Sequence, residues 1–198
     1  MEPETSTHHT TTGLNHRKLL MWAFLGSDCM FFGSLIATYL IYQSRSIVGP
    51  IPSDILDIPV TSVSTFVLLM SSFMMVLSYN AIGKGDMRRF RIWVMGTILM
   101  GCTFLGFQVY EFREFALHGL TPRTNLFGST FFTLTGFHGA HVTLGVIWLA
   151  SLFWFSYKDP ETLKKDHGLS VDLAALYWHF VDIVWIVIFT VVYLIGGV

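Results

Sequence analysis

Apolar residues along this chain fall into five long runs separated by short polar segments. The runs cover about residues 19–42, 59–82, 90–111, 127–157 and 172–196. Each has the roughly 20 residues that a helix needs to cross a bilayer, and the fourth is long enough to tilt or to project from the membrane. The apolar positions follow a helical period instead of alternating with polar ones. The pattern therefore predicts an all-α fold, a polytopic membrane protein built as a bundle of five transmembrane helices.

The composition of the whole chain supports this fold class. Of 198 residues, 53% are hydrophobic and 13% are charged, whereas a soluble domain carries roughly twice that charged fraction. The net charge of −1 and the lack of a basic patch give no reason to expect nucleic-acid binding. Cys29 and Cys102 both fall inside apolar runs, so we expect neither a disulfide nor a thiolate metal site.

The polar segments are too short to form a second domain, so we expect one membrane domain over 17–198. Residues 1–16 are polar and rich in threonine. They lack the basic start and apolar core of a secretory signal and the arginines of a mitochondrial presequence. We therefore expect 1–16 to be a flexible cytoplasmic tail.

Basic residues are distributed unequally between the two sides of the predicted bundle. Nine of the 12 lie on the side of the N-terminus: Arg17, Lys18, Lys84, Arg88, Arg89, Arg91, Lys158, Lys164 and Lys165. The opposite side keeps Arg45, Arg113 and Arg123. Since positively charged segments stay in the cytoplasm, we expect the N-terminus inside and the C-terminus outside.

A few ionisable or amide side chains fall inside the apolar runs. At 1.5 Å of rise per residue, Asp28 and Asp182 lie roughly 14–15 Å from the cytoplasmic edge of a core about 30 Å thick, and His138 lies near its middle. Such groups are costly in hydrocarbon unless they meet a partner. We therefore predict a satisfied buried polar network of Asp28, His138, His141, His179 and Asp182. Gln108 and Glu111 form a separate polar pair nearer the outer face, where water could help to satisfy them.

The segment Tyr177–Trp185 leaves two interpretations open. His179 and Asp182 are three residues apart, so their side chains point the same way on a helix. They form either a buried pair that fixes helix packing or a proton-linked or ligand-binding site. The first interpretation is the one that we favour from these residues alone.

Histidines of the fourth and fifth runs raise the question of a metal or haem site. His138, His141 and His179 could in principle coordinate zinc or haem iron. A porphyrin needs small residues around it, but the fifth run is packed with bulky side chains such as Trp178 and Trp185. We therefore expect no cofactor or metal in this chain.

Small residues form stripes in several runs. In the fourth run Gly139 lies between Thr135 and Thr143. The first run contains Gly26 and Gly33, and the third contains Gly96, Gly101 and Gly106. In lipid such stripes allow helix backbones to approach closely. We expect them to be packed helix interfaces.

Two longer motifs carry a resemblance to a known family. The residues Phe127–Phe132 with Gly136–Val142, and the segment Tyr177–Trp185, resemble the signature of subunit III of haem-copper terminal oxidases. Gln108–Glu111 resembles the Gln-x-x-Glu of that family, and Phe24–Phe32 resembles its first core helix. The resemblance spans nearly the whole chain in the right order, and it is closest to the short five-helix bacterial type.

The resemblance implies an accessory subunit of a proton-pumping respiratory oxidase in a bacterial plasma membrane. In that family subunit I holds the haems and copper that reduce oxygen, while subunit III packs beside subunits I and II, binds phospholipid and carries no redox centre. It also supports proton uptake. One departure concerns Asp28, where the family commonly has a carbodiimide-reactive glutamate. The shorter side chain requires a closer partner.

Two further hypotheses concern the cytoplasmic surface and the class of protein. A basic surface could gather protons or lipid headgroups, although ordinary membrane topology accounts for the same residues: His16, Arg17, Lys18, Arg88, Arg89, Lys164, Lys165 and His167. Cytochrome c is the expected electron donor of the oxidase and quinol is the alternative. A stand-alone transporter is the competing class. Broken helices in transporters usually contain proline or glycine breaks, but here the only proline in a run is Pro59, at its edge.

Overall fold

The computed structural model describes residues 15–43, 58–165 and 168–195. Its helices are α1 (His16–Tyr42), α2 (Ile58–Gly83), α3 (Met87–Leu117), α4 (Leu126–Lys158), a short α5 (Pro160–Lys165) and α6 (Leu169–Phe189). The last helix continues as a π-helical segment, Thr190–Ile195. Five of these helical stretches are long and apolar enough to cross a membrane. The prediction of an all-α bundle of five spanning helices is confirmed.

The helix ends differ from the expected ones where polar residues extend a helix beyond its apolar run. Helix α3 continues to Leu117, six residues past its predicted end, because residues after Glu111 are charged but compatible with a helix. It ends before Gly119, whose φ of +84° favours glycine. Helix α1 begins at His16, a residue expected in the tail, and the side chain of Asn15 caps it by accepting from the backbone N–H of Arg17. The remainder of the tail, 1–14, lies outside the described residues.

Helix α6 lies at the centre of the packing. It contacts α1, α2 and α4, whereas α2 and α3 form an antiparallel pair joined by a tight turn that contains Gly85 at φ +71°. The largest buried side chains include Trp178 and Trp185 of α6. Helix α1 lies at the edge, against α4 and α6.

The glycine stripes are only partly packed against neighbouring helices. A Cβ at Gly101 would lie 2.7 Å from the Trp178 ring, and a Cβ at Gly145 would lie 2.9 Å from the same ring. The indole of Trp178 therefore fits between the backbones of α3 and α4. By contrast, a Cβ added at Gly26 or Gly33 would have no atom of another described helix within 4 Å. For these two glycines, the expected packed interface is not found within the described part of this chain.

Candidate functional site

An aspartate and a histidine meet where α1 packs against α4. The Nε2 atom of His141 lies 3.2 Å from Oδ2 of Asp28, and both side chains are mostly shielded, with exposed fractions of 15% and 13%. The rings of Phe31 and Phe32 lie beside the imidazole. The pair therefore links the edge helix to the bundle through ionisable groups in an apolar setting.

The other nitrogen of His141 fixes how the proton is arranged. Nδ1 lies 2.7 Å from the backbone carbonyl of Phe137, one turn earlier on α4, and a carbonyl can only accept. Nδ1 therefore carries a hydrogen and donates it. Nε2, the remaining ring nitrogen, is the one that faces the Asp28 carboxyl group, 3.2 Å from Oδ2.

His138 lies one turn from His141 but does not join this pair. Its ring stacks on Trp185 with centroids 4.9 Å apart, and Phe104 presents an edge to it at 5.9 Å. The side chain is fully buried, and neither ring nitrogen has a hydrogen-bond partner among the described residues. Aromatic packing therefore holds His138 in place.

These histidines do not form a suitable donor set for zinc or haem. His141 uses Nδ1 for its own helix and turns Nε2 toward Asp28, while aromatic rings enclose His138. Within the described part of the chain, no group of three or more histidine, cysteine, aspartate or glutamate side chains converges. His138 and His141 therefore do not turn their ring nitrogens toward a common metal or haem position.

The second predicted pair lies on α6. Asp182 is buried beside Ser72 of α2, and neither Oδ1 of Asp182 nor the Ser72 hydroxyl makes a hydrogen bond of ordinary geometry. His179 is half-buried and makes no hydrogen bond or ion pair with the described residues. Of the five residues in the predicted network, the structure brings only Asp28 and His141 into direct contact.

The outer polar pair lies inside the bundle, not at a water-facing position. Gln108 donates from Nε2 to the backbone carbonyl of Thr135, 2.6 Å away, and its amide occupies the space that a side chain at Gly139 would need. Glu111 accepts hydrogen bonds from the hydroxyls of Thr61 and Tyr193. Both side chains are buried and bond to protein, while Oε1 of Gln108 has no hydrogen-bond partner among the described residues.

Two indole–hydroxyl bonds between α6 and α2 were not anticipated from the sequence. Trp178 Nε1 donates to the Ser71 hydroxyl and Trp185 Nε1 donates to the Thr65 hydroxyl, with a nitrogen–oxygen distance of 3.0 Å in each bond. A signal for them was present: the second run has a stripe of hydroxyl residues at helical spacing, Thr61, Ser64, Thr65, Ser71, Ser72 and Ser78, all of which are buried. This stripe marks the face of α2 that packs against α6.

The predicted basic surface separates into engaged and exposed residues. Lys18 forms an ion pair with Asp172 at 2.5 Å, which joins α1 to the start of α6, and Arg89 pairs with Asp86 at 3.3 Å. His16 and Arg88 are exposed. The side chains of Lys164, Lys165 and His167 lie outside the described residues.

A cavity of about 910 Å³ opens at the same end of the bundle. Arg17 and Lys158 lie at its polar part, and Trp148, Phe155 and Leu173 belong to its apolar wall. Basic residues beside an apolar wall at the end of spanning helices suit the headgroup and chains of a phospholipid.

Comparison with known proteins identifies relatives along the whole chain. A family model described as cytochrome c oxidase subunit III matches residues 1–197. Cytochrome c oxidase subunit 3 of Bacillus sp. strain PS3 is 37% identical over 196 residues, which cover 99% of this chain and 94% of that protein. Quinol oxidase subunit 3 of Bacillus spizizenii is 36% identical over 178 residues, with 88% and 85% covered. The probable quinol oxidase subunit 3 of Staphylococcus saprophyticus is 37% identical over 185 residues, with 93% and 91% covered.

Proposed function

This chain belongs to the cytochrome c oxidase subunit III family, and from that membership we propose that it serves as a scaffold without a redox centre of its own. It is a multi-pass bacterial membrane protein and an accessory subunit of a respiratory haem-copper oxidase. In the proposal, subunit I is its main contact and subunit II a further one. Those partners hold the haems and copper that reduce oxygen and couple the reaction to proton translocation.

The observation that carries the scaffold role is how the bundle uses its buried polar groups. Gln108 bonds to α4, Glu111 to α2, and the indoles of Trp178 and Trp185 to hydroxyls of α2. Each of these bonds joins two helices and fixes their relative position. Side chains used in this way support a rigid structural subunit better than a transport path.

The experiment that tests the scaffold replaces buried Asp182 by alanine and uses His179→Ala as the less buried comparison on the same helix. We expect Asp182→Ala to reduce the amount of assembled oxidase, because it leaves Ser72 in a cavity, while turnover per intact complex stays near the wild-type value. The measurements are haem content of the purified complex, oxygen consumption per haem and protons translocated per electron. Fully assembled Asp182→Ala complexes that translocate fewer protons per electron would place this residue in the proton path and refute the scaffold.

Whether the purified chain is bound to haem-bearing subunits distinguishes an oxidase subunit from a stand-alone transporter. In mild detergent, we expect the chain to elute together with haem-bearing subunits. An oligomer of this chain alone, free of haem proteins in cells that express the oxidase, would contradict the proposal.

Cytochrome c is the proposed electron donor. The match to the Bacillus sp. strain PS3 cytochrome c oxidase subunit covers 99% of this chain, against 88% for the Bacillus spizizenii quinol oxidase subunit. Purified enzyme should oxidise reduced cytochrome c rapidly and a quinol slowly. The reverse preference would assign the chain to a quinol oxidase.

Phospholipid binding and proton uptake at the cytoplasmic surface complete the proposal. The N-terminus is proposed to lie inside, which places the 910 Å³ cavity and the exposed His16 on the side from which protons are taken up. Steady-state turnover of a His16→Gln, His167→Gln variant should fall earlier than the wild type as pH rises. An unchanged alkaline limb of the pH–rate profile would indicate that these residues contribute only to membrane topology.

A further inference from the structure

A second and smaller cavity lies at the turn between α2 and α3, away from α1 and α4. Its volume is about 490 Å³, within the roughly 300–1,000 Å³ of ordinary ligand pockets. Leu77 and Asn80 line it from α2, Lys84 from the turn, and Arg89 and Trp93 from α3. The cavity therefore has polar residues at the membrane boundary and apolar residues deeper in the span.

The cationic groups of this cavity are only partly paired with carboxylates. Lys84 is exposed, and its ammonium group makes no ion pair or hydrogen bond with any residue in the described ranges. Arg89 uses Nε toward Asp86, and 72% of its side chain remains exposed, which leaves the outer edge of its guanidinium group free to bind an anion. One lysine and one arginine face a single neutralising carboxylate, so the cavity complements a negative group.

The apolar part extends from these cations into the membrane. Leu77 precedes Lys84 by seven residues, which corresponds to about 10 Å along the helix. Ile92, which is 58% exposed, and the indole of Trp93 form the opposite side on α3. Tryptophan is common at the level of lipid headgroups. A ligand with an anionic head and a hydrocarbon chain matches both parts, whereas a free anion would use only the first.

We propose that this cavity binds one anionic phospholipid, with its phosphate between Lys84 and Arg89 and one acyl chain along Leu77, Ile92 and Trp93. Basic pockets between spanning helices commonly hold such headgroups. The site extends the proposed phospholipid binding to a second place on the chain, and it depends on the hairpin itself, not on the oxidase assignment or the orientation of the termini.

The test counts phosphatidylglycerol bound to the purified, assembled complex by native mass spectrometry while the lipid is titrated. Lys84→Gln should weaken one binding event about fivefold, and Lys84→Gln with Arg89→Gln about thirtyfold, since each cation near a membrane surface contributes about 1 kcal/mol. Arg88→Gln is the matched control, because Arg88 is exposed in the first turn of α3, next to Arg89, but does not line the cavity. It should bind like the wild type.

Three results would overturn the site. Equal weakening in Arg88→Gln would indicate general surface charge, and unchanged binding in Lys84→Gln would show that the cavity holds no phosphatidylglycerol. Displacement of the lipid by millimolar inorganic phosphate would indicate a free-anion site. Lys84→Gln alone decides the question if the double variant does not assemble, because the Lys84 side chain has no bond to lose in the described structure. Haem content of the same samples reports separately on the proposed function.

Discussion

Helices α1 and α6 both cross the bundle and both carry an ionisable residue, but their surroundings differ. In the most apolar 18-residue stretch of α6 and its π-helical extension, 44% of the residues are buried, whereas the corresponding share in α1 is 11%. Helix α6 packs against the other four spanning helices and donates two indole hydrogen bonds to α2. Helix α1 is linked to the bundle by rings, by the Asp28–His141 pair and by Lys18–Asp172. The comparison shows that similar hydropathy can serve a core helix and an edge helix.

The glycines show the same difference more locally. Gly101 and Gly145 form the slot that receives the Trp178 ring, while Gly26 and Gly33 of α1 have open space around them in the described part of this chain. Because lipid chains are as apolar as the helix surface, helices in a membrane associate mainly through close packing and polar bonds. The slot around Trp178 supplies both, since the same indole also bonds Ser71.

The strongest test of the comparison removes the indole in that slot. Trp178→Ala should lower the free energy of unfolding by about 3–5 kcal/mol, because it leaves a cavity between α3 and α4 that the rigid helices cannot close. Trp22→Ala on α1, where the ring is 60% exposed, should change it by less than about 0.5 kcal/mol. Denaturant titration of the chain in mild detergent measures both. Similar losses in the two variants would erase the distinction between the helices.

A smaller test adds one methyl group to each kind of glycine. Gly145→Ala should destabilise the chain by about 1–3 kcal/mol, since the new carbon would lie 2.9 Å from the Trp178 ring. Gly33→Ala should stabilise it by about 0.5–1 kcal/mol, because alanine favours a helix and meets no atom of another described helix. The opposite signs are the prediction, measured by the same titration. Stabilisation by Gly145→Ala would show that the slot is loose.

The link between α1 and α4 can be measured as a coupling energy. Asp28→Asn, His141→Gln and the double variant should give an interaction of about 1 kcal/mol, because the two side chains lie 3.2 Å apart in a partly shielded site. A double variant whose loss equals the sum of the single losses would show that the pair does not stabilise α1. Lys18→Gln measures the second link of α1 in the same experiment.

The weakest effect concerns the indole bonds of α6. Thr65→Val keeps the side-chain shape but removes the acceptor for Trp185, and we expect a loss of about 0.6 kcal/mol, typical of polar bonds between membrane helices. Ser62→Ala on the exposed side of α2 is the control and should have no measurable effect. A neutral Thr65→Val would mean that the Trp185 bond does not help to position α6.

The sequence predicted the helices and the membrane depths of several polar residues, but not which side chains contact one another. It assigned Asp28 and His141 to one buried polar network, and the structure brings these two side chains together. It also joined His138, His179 and Asp182 to the same network because they lie in the same layer. Depth fixes one coordinate only; the rotation of each helix decides whether side chains at one level meet, and His138 faces rings instead of the pair. The extension of α3 to Leu117 was missed because an apolar run ends at the first charged residues, whereas a helix can continue through them.

The sequence by itself determined that this is a membrane bundle of five helices, because runs of about 20 apolar residues have no other stable arrangement once their backbone must bond internally. Its motifs were also sufficient for the family. Only the tertiary structure decided that α6 is the core and α1 the edge, that Trp178 occupies a glycine slot, and that Glu111 and Gln108 each bond to a neighbouring helix. Those facts depend on helix rotation and neighbour choice, and in a uniformly apolar solvent the pattern of hydrophobic residues does not distinguish a face toward lipid from a face toward another helix.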